Sequence, residues 1–360
     1  MKIALVIESM RKVGLKQSSC LFLARHLLEI GHQVFLLTAR GSSLSIEKLP
    51  LEVIPTKAWA KSTVLKKLGQ AIKRRKAEGV YDAVIGFDPI QNIDFYFATE
   101  PKHARNQLSA WLPWNRALLA QEQQLFNCLP RAEIFYLNHA QRSEYIKAYG
   151  LLPSDIILPI IVLPEWWQAQ QPQYESGVVR RELHLPIECI VAAAFFSLSL
   201  PTNIFRSLSA MRSNSNFHLM LICPERVAKY AKVWRRICPR LCIVANGNGL
   251  SRQLAAADFL LHVPLRDVTG TEWLKGLFAG IPAVVSDGCG YVAEVGGVGA
   301  GLVLSEPITK HRLSAGCEIA KRDRDHMKKR VAQYLSHLSA SEHWADLVAK
   351  RVKNRPNGRK

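Results

Sequence analysis

The sequence predicts an α/β protein built from two doubly wound units, each a mostly parallel sheet covered by helices. Three observations lead there. Short, β-branched apolar runs alternate with stretches of helical period, as parallel strands buried on both faces require. The alternation breaks once, at VLPEWWQAQQPQYESG, and then begins again. The chain is 360 residues long, which at roughly 150 residues per domain allows two domains with their own cores.

The first half opens on a buried strand, Ile3 to Ile7, followed by a turn at Gly14 and a helix. That helix places Leu21, Leu23, Leu27, Leu28 and Ile30 at helical spacing, and Gly31 fits its stop. QVFLLTA, LEVIP, YDAVIGF, IDFYFAT, AEIFYLN and DIILPII read as the following strands. KAWAKSTVLKKLGQAIKRRK, with Val64, Leu68 and Ile72 four apart, reads as a helix between the third and fourth strands. The second series is CIVAAAFF, FHLMLICP, LCIVAN, AAADFLLHV, IPAVVSD and AGLVLSE. Both halves are thus Rossmann-like, facing one another across a cleft, and ligands of open parallel sheets bind beyond the carboxyl ends of the strands. The expected divisions are residues 1–165, residues 178–335, and a helix with a basic tail over residues 336–360 that packs back on the N-terminal domain.

Composition narrows the function classes. Lys and Arg number 48 against 29 Asp and Glu, a formal net charge of +19. The segment from Lys57 to Lys76 holds eight of these cations and no acid, and the chain closes on AKRVKNRPNGRK. Such fields attract nucleic acid, anionic lipid or a phosphorylated substrate, and charge alone does not choose among them. No apolar run is long enough to span a bilayer. The opening residues lack the apolar core and cleavage site of a signal peptide, so cytoplasmic residence is expected and scattered thiols such as Cys20, Cys189 and Cys223 read as core residues. Cys238 and Cys242 have no second ligand pair, so no metal is expected. ESMRKVGLKQSS after the first strand has one glycine instead of G-x-G-x-x-G. GGVGAG, Gly296 to Gly301, precedes a strand and reads as a turn. A dinucleotide fingerprint and a nucleotide P-loop are both absent.

The run Leu250 to Val295, LSRQLAAADFLLHVPLRDVTGTEWLKGLFAGIPAVVSDGCGYVAEV, together with GFDPIQNIDFYFATE, EQQLFNCLPRAEIFYLN and the opening strand, glycine loop and helix, resembles retaining GT-B glycosyltransferases of family 4. Among them it is most similar to those that glucosylate the heptose of a lipopolysaccharide core. The resemblance implies a nucleotide-diphosphate sugar donor, UDP-glucose, with no metal. It also implies a phosphorylated lipid-linked saccharide acceptor and peripheral attachment to an anionic inner-leaflet surface. A departing diphosphate needs fixed positive groups or amides, and a carboxylate can accept from both hydroxyls of a ribose.

Carried over residue by residue, the match has departures. Gly14 falls on the second glycine of the family's loop, with Val13 in place of the first; it serves either close ligand approach or an ordinary turn. Glu100 is either an acceptor contact and general base or a structural acid. Asp267 falls on the first acid of the family's pair and is expected to hold the donor sugar. Lys275 falls on the second and reverses its charge; Glu272 lies a turn earlier on the helix. Where the family has a basic pair, this chain has Pro201, Thr202 and Asn203, so Thr202 and Arg206 are the expected substitutes for phosphate, and Gly270, Thr271 and Lys275 are also expected to bind the nucleotide-sugar donor. His262 is close to this region. Lys102 to Gln121 interleaves cations with Trp111 and Trp114 and is either a membrane-contact helix or a packed one. Two functions remain in view: a hexosyltransferase, and a noncatalytic relative that binds a glycan or protein. No nucleic-acid module motif is present, and the sequence sets no oligomeric state.

Overall fold

The computed structural model describes residues 1–11, 14–41, 49–99, 113–127, 131–150, 156–160, 174–197, 200–213, 216–228, 234–236, 238–245, 250–340 and 343–355. The chain divides into two compact units, Met1–Leu163 with Glu342–Lys360, and Pro164–Ser341. Strand β1 is Lys2–Ser9, β2 Gln33–Arg40, β3 Leu51–Val53, β4 Ala83–Gly86, β5 Phe95–Ala98, β6 Glu133–Tyr136 and β7 Ile156–Ile157. In the second unit β8 is Ile190–Phe195, β9 Phe217–Cys223, β10 Leu241–Ala245, β11 Phe259–His262, β12 Ala283–Ser286 and β13 Gly301–Leu304. The principal helices are α1 (Leu15–Glu29), α2 (Lys61–Ala77), α3 (Pro113–Asn127), α4 (His139–Tyr149), α5 (Ser176–Glu182), α6 (Pro201–Ser213), α7 (Thr271–Phe278), α8 (Lys310–Arg322), α9 (Arg324–Ala340) and α10 (Trp344–Lys353).

The first sheet runs β3-β2-β1-β4-β5-β6-β7 and the second β10-β9-β8-β11-β12-β13. Every described pairing is parallel, including β1 with β4 and β8 with β11, where the strand order reverses. These reversals create a crevice at the carboxyl edge of each sheet. Burial on both faces explains the unbroken apolar runs: Ile3 to Ile7 and Val191 to Ala194 are fully buried.

Helix boundaries follow local chemistry. After α1, Gly31 takes a left-handed φ of 87°, the conformation that ends helices most readily at glycine. Helix α4 starts where the Asn138 side chain accepts from the Gln141 amide, and α8 where Thr309 does the same for Arg312. The expected stripe of α2, Val64, Leu68 and Ile72, is buried in the core of the first unit with Leu65. Its apolar face is therefore covered by the sheet.

The last residues divide differently from the expected break at 336. Ser336 lies inside α9, in the second unit, and the first unit resumes at Glu342. Trp344 at the start of α10 is buried against Phe22 and Phe97, with ring centroids 5.5 and 5.4 Å away. Arg351 donates to Glu133 at 2.6 Å, and Arg355 pairs with Asp94. In the second unit the buried Asp258 accepts from Arg180, Arg324 and the Val191 amide at 2.7 to 2.8 Å, fastening the amino ends of β8 and β11.

Candidate functional site

The carboxyl edge of the second sheet is built around two loops and two helix starts. Asn203, in the first turn of α6, is buried. Its Oδ1 accepts from the Val263 amide at 2.7 Å and its Nδ2 donates to the Phe195 carbonyl at 3.3 Å. One side chain thus ties the ends of β8 and β11 where the sheet order reverses. Replacing Asn203 with alanine would strand two buried backbone groups, and a loss of about 2 kcal/mol is expected. A shifted urea midpoint with an unchanged slope would register it.

After β11 the chain forms a fixed loop. Asp267 is buried and both carboxylate oxygens are engaged: Oδ1 accepts from the Thr269 hydroxyl at 3.0 Å and the Gly270 amide at 3.2 Å, while Oδ2 lies 2.9 Å from His262 Nε2. Burial opposes charge on this aspartate, but the His262 ring, Thr269 and Gly270 outweigh it and hold its pKa below the ordinary value. Burial likewise lowers the imidazole pKa, yet the Asp267 hydrogen bond and the Cys289 thiol prevail and raise it. Both shifts run in the direction that favours an imidazolium beside a carboxylate. The carboxylate expected to hold the donor sugar is thus hydrogen-bonded within its own loop.

A second loop, after β12, is stitched to the first. The Asp267 amide donates to the Gly288 carbonyl at 3.0 Å, the Gly290 amide to the Asp267 carbonyl at 2.7 Å, and Trp273 Nε1 to the Gly290 carbonyl at 3.1 Å. Gly270 holds φ 62° at the entry to α7. The first turn of α7, opening at Thr271, leaves amides without intrahelical acceptors, an arrangement suited to an anion.

Lys275 sits one turn into α7. Its ammonium contacts both carboxylate oxygens of Glu272 at 3.1 and 3.2 Å and lies 5.4 Å from the centre of the Phe195 ring. The reversed charge at this position thus brings a carboxylate with it, at the end of β8. Arg206 reaches elsewhere: it is bidentate to Glu306 at 2.7 and 3.0 Å and donates to the Val263 carbonyl at 3.1 Å. The Arg206 hydrogen bonds keep the Glu306 pKa below its ordinary value. The guanidinium expected to substitute for the phosphate-binding pair is thus paired with a carboxylate of its own unit. Thr202 is half-buried in the first turn of α6.

The first unit carries its own cluster at the β1/β4 reversal. Asp88 is buried. It accepts from the Glu8 amide at 2.7 Å and from Lys16 at 2.8 Å, with the Lys61 ammonium 3.5 Å away. Burial raises the Asp88 pKa, but the two ammoniums and the Glu8 amide bring it below the ordinary value. Arg40 faces Glu8 at 3.3 Å. Gly14 caps α1 in an extended conformation, φ −147° and ψ 179°, and a Cβ there would meet only the end of the Gln17 side chain. Glycine is thus not required by backbone geometry at that position. Glu100 and residues 102–112 of the Lys102 to Gln121 segment lie outside the described residues. Lys16, Lys61 and Arg40 were not singled out from the sequence as site residues. Their signal was charge placed just after apolar strands and in first helical turns, which only the sheet order makes adjacent. No group of three metal-ligating side chains occurs among the described residues.

The protein matches solved structures over nearly its whole length. It aligns with the crystal structure of WaaG, a glycosyltransferase involved in lipopolysaccharide biosynthesis, at TM-score 0.80 and 20% identity, covering 98% of this chain and 100% of that one. The chain has the GT-B fold, with two Rossmann-like domains. Sucrose-phosphate synthase from Thermosynechococcus elongatus aligns at TM-score 0.75 and 13% identity over 98% of each chain. Anabaena HepE in complex with UDP-glucose aligns at 0.71 and 12%, again over 98% of each. In sequence, lipopolysaccharide glucosyltransferase WaaG of Escherichia coli K12 is 23% identical over 247 residues, 65% of this chain and 66% of the relative. No protein-family model matches.

Proposed function

We propose that the protein is a glycosyltransferase that moves a hexose, glucose, from UDP-glucose to a lipopolysaccharide core or a related lipid-linked saccharide, with retention at the anomeric carbon. The observation that carries this reading is the pinned loop from His262 to Gly270, which fixes the first turn of α7 at the order reversal of the second sheet. Amides at Thr271 and after it would receive the diphosphate, and the preorganised loop would hold them in place as the leaving group gains charge. Glu272, steadied by Lys275, is the carboxylate positioned at the end of β8 to accept from hydroxyls of the donor. Thr202 lies in the first turn of α6, at the same edge.

The acceptor belongs with the first unit, where Lys16, Lys61 and Arg40 outnumber Asp88 and Glu8 near Gly14. A phosphorylated saccharide suits that excess of positive charge. The lipid-linked acceptor also implies attachment to the inner leaflet from the cytoplasmic side. No described helix is long and apolar enough to cross a membrane.

Calorimetric titration of the full chain with UDP and UDP-glucose tests the donor. Micromolar binding, weakened by Glu272→Gln, is expected. A second reading, a glycosyltransferase-shaped binding protein, is favoured by the engagement of Arg206 with Glu306 and by the charge reversal at Lys275. Silence across UDP, UDP-glucose and other nucleotide sugars would select it.

A further inference from the structure

Trp59 is 98% exposed, more than any other large apolar side chain among the described residues. A single exposed apolar residue is ordinary; the way this one is held is not. It lies in the connection between β3 and α2, whose backbone is fastened at three points. The Ile54 amide donates to the Thr38 carbonyl at 2.8 Å, Lys67 Nζ to the Thr56 carbonyl at 2.5 Å, and Arg40 to the carbonyl of Trp59 itself at 3.1 Å. Thr56 is buried, and Lys57 turns the chain with a left-handed φ of 44°. The indole therefore stands out from an anchored turn, with Val53, Pro55 and Ala60 also exposed nearby in the sequence.

Helix α2 continues from that turn. Its apolar side faces the core through Val64, Leu65, Leu68 and Ile72, and Lys66, Lys67, Lys73 and Arg74 are exposed along the rest. Among the described residues Arg75 is paired with Glu52, Lys76 with Asp94, and Arg74 approaches Glu78 at 3.8 Å. Lys57, Lys66 and Lys73 have no acidic partner among those residues. Seventeen residues of helix extend about 25 Å, longer than one sugar or phosphate. An aromatic ring at one end of such a cationic row matches the two layers of an anionic bilayer surface, the interfacial region for the indole and the phosphates for the ammoniums.

We propose that Trp59 and the exposed cations of α2 form a docking surface for an anionic phospholipid bilayer. This deepens the proposed function, resting on its reading that the acceptor is lipid-linked, and places contact on a segment other than Lys102 to Gln121. The indole supplies apolar insertion, and Lys57, Lys66 and Lys73 supply attraction that weakens as salt screens it.

The test is cosedimentation of the full chain with phosphatidylcholine vesicles, with and without phosphatidylglycerol, at low and high salt. Trp59→Ala is expected to weaken binding to the anionic vesicles roughly tenfold. Lys66→Glu with Lys73→Glu should weaken it more than about twentyfold, since each basic group contributes roughly a fivefold factor. The same variants should bind UDP-glucose as the parent does. Equal binding to neutral vesicles, no binding to anionic ones, or anionic binding that survives both variants would overturn the proposal. Vesicle binding lost with nucleotide binding kept would support this surface, provided the parent binds. A parent that binds nucleotide but no vesicle leaves the transferase reading standing without this surface, and one that binds vesicles but no nucleotide separates the two in the opposite sense.

Discussion

Asp267→Ala is expected to destabilise the second unit by about 3 to 5 kcal/mol, the usual result of removing one member of a buried charged pair. The substitution leaves His262 buried without its carboxylate and withdraws the acceptor from Thr269 and Gly270. Because alanine can prevent folding altogether, Asp267→Asn is the more informative variant: its amide oxygen can still accept from Thr269 and Gly270, while the charge and the acceptor facing His262 Nε2 are lost. The advantage of the parent over Asp267→Asn should depend on pH in two opposed ways. A carboxylate with a lowered folded pKa stabilises above its unfolded value, near 3.8, and this is lost as pH falls through the folded value. An imidazole with a raised folded pKa stabilises fully below its unfolded value, near 6.5, and this is lost as pH rises through the folded value. The difference should therefore be greatest between those two ordinary values and shrink on the alkaline side. Denaturation midpoints measured from pH 5 to about pH 9 check it; a difference that stays flat would mean that the ring is uncharged in the folded state.

The contrast between Asp267 and α2 shows where sequence reading reaches. Alternating apolar runs located the strands in both units because a parallel sheet buries both faces and leaves an uninterrupted pattern. Gly31 marked a helix end for a local reason, its left-handed φ. The spacing of Val64, Leu68 and Ile72 revealed a face, but period alone does not say whether a sheet or a lipid covers it; the core of the first unit does. At Asp267 the motif position was legible and the environment was not. The loop that fixes it touches Gly288 and Gly290, about twenty residues on, only because β11 and β12 are neighbours. Arg206 shows the same limit over a longer range: its neutralising partner, Glu306, is 100 residues away. Local pattern names the residue type at a site, and tertiary pairing decides whether its charge is still available.

Gly270→Ala tests whether that stitched loop is rigid. Gly270 has φ 62°, and a Cβ there would lie 2.3 Å from the Gly290 carbonyl oxygen and 2.7 Å from its carbon. The obstacle is backbone, and it is held by the Asp267 carbonyl on one side and by Trp273 Nε1 on the other. Gly280 supplies the control: its φ is 77°, but a Cβ would meet nothing within 4 Å. Gly280→Ala should cost only the left-handed penalty, about 1 to 2 kcal/mol. Gly270→Ala adds an overpacking cost of about 1 to 3 kcal/mol against a wall that cannot swing aside, for a total of about 2 to 5 kcal/mol. Chemical denaturation of the two variants separates the terms. If the α7 amides receive the donor diphosphate, the folded fraction of Gly270→Ala should also bind UDP more weakly than Gly280→Ala, because the helix start is displaced. Equal stability of the two variants would mean that Gly290 gives way easily and that the loop is not the fixed support the proposed chemistry requires.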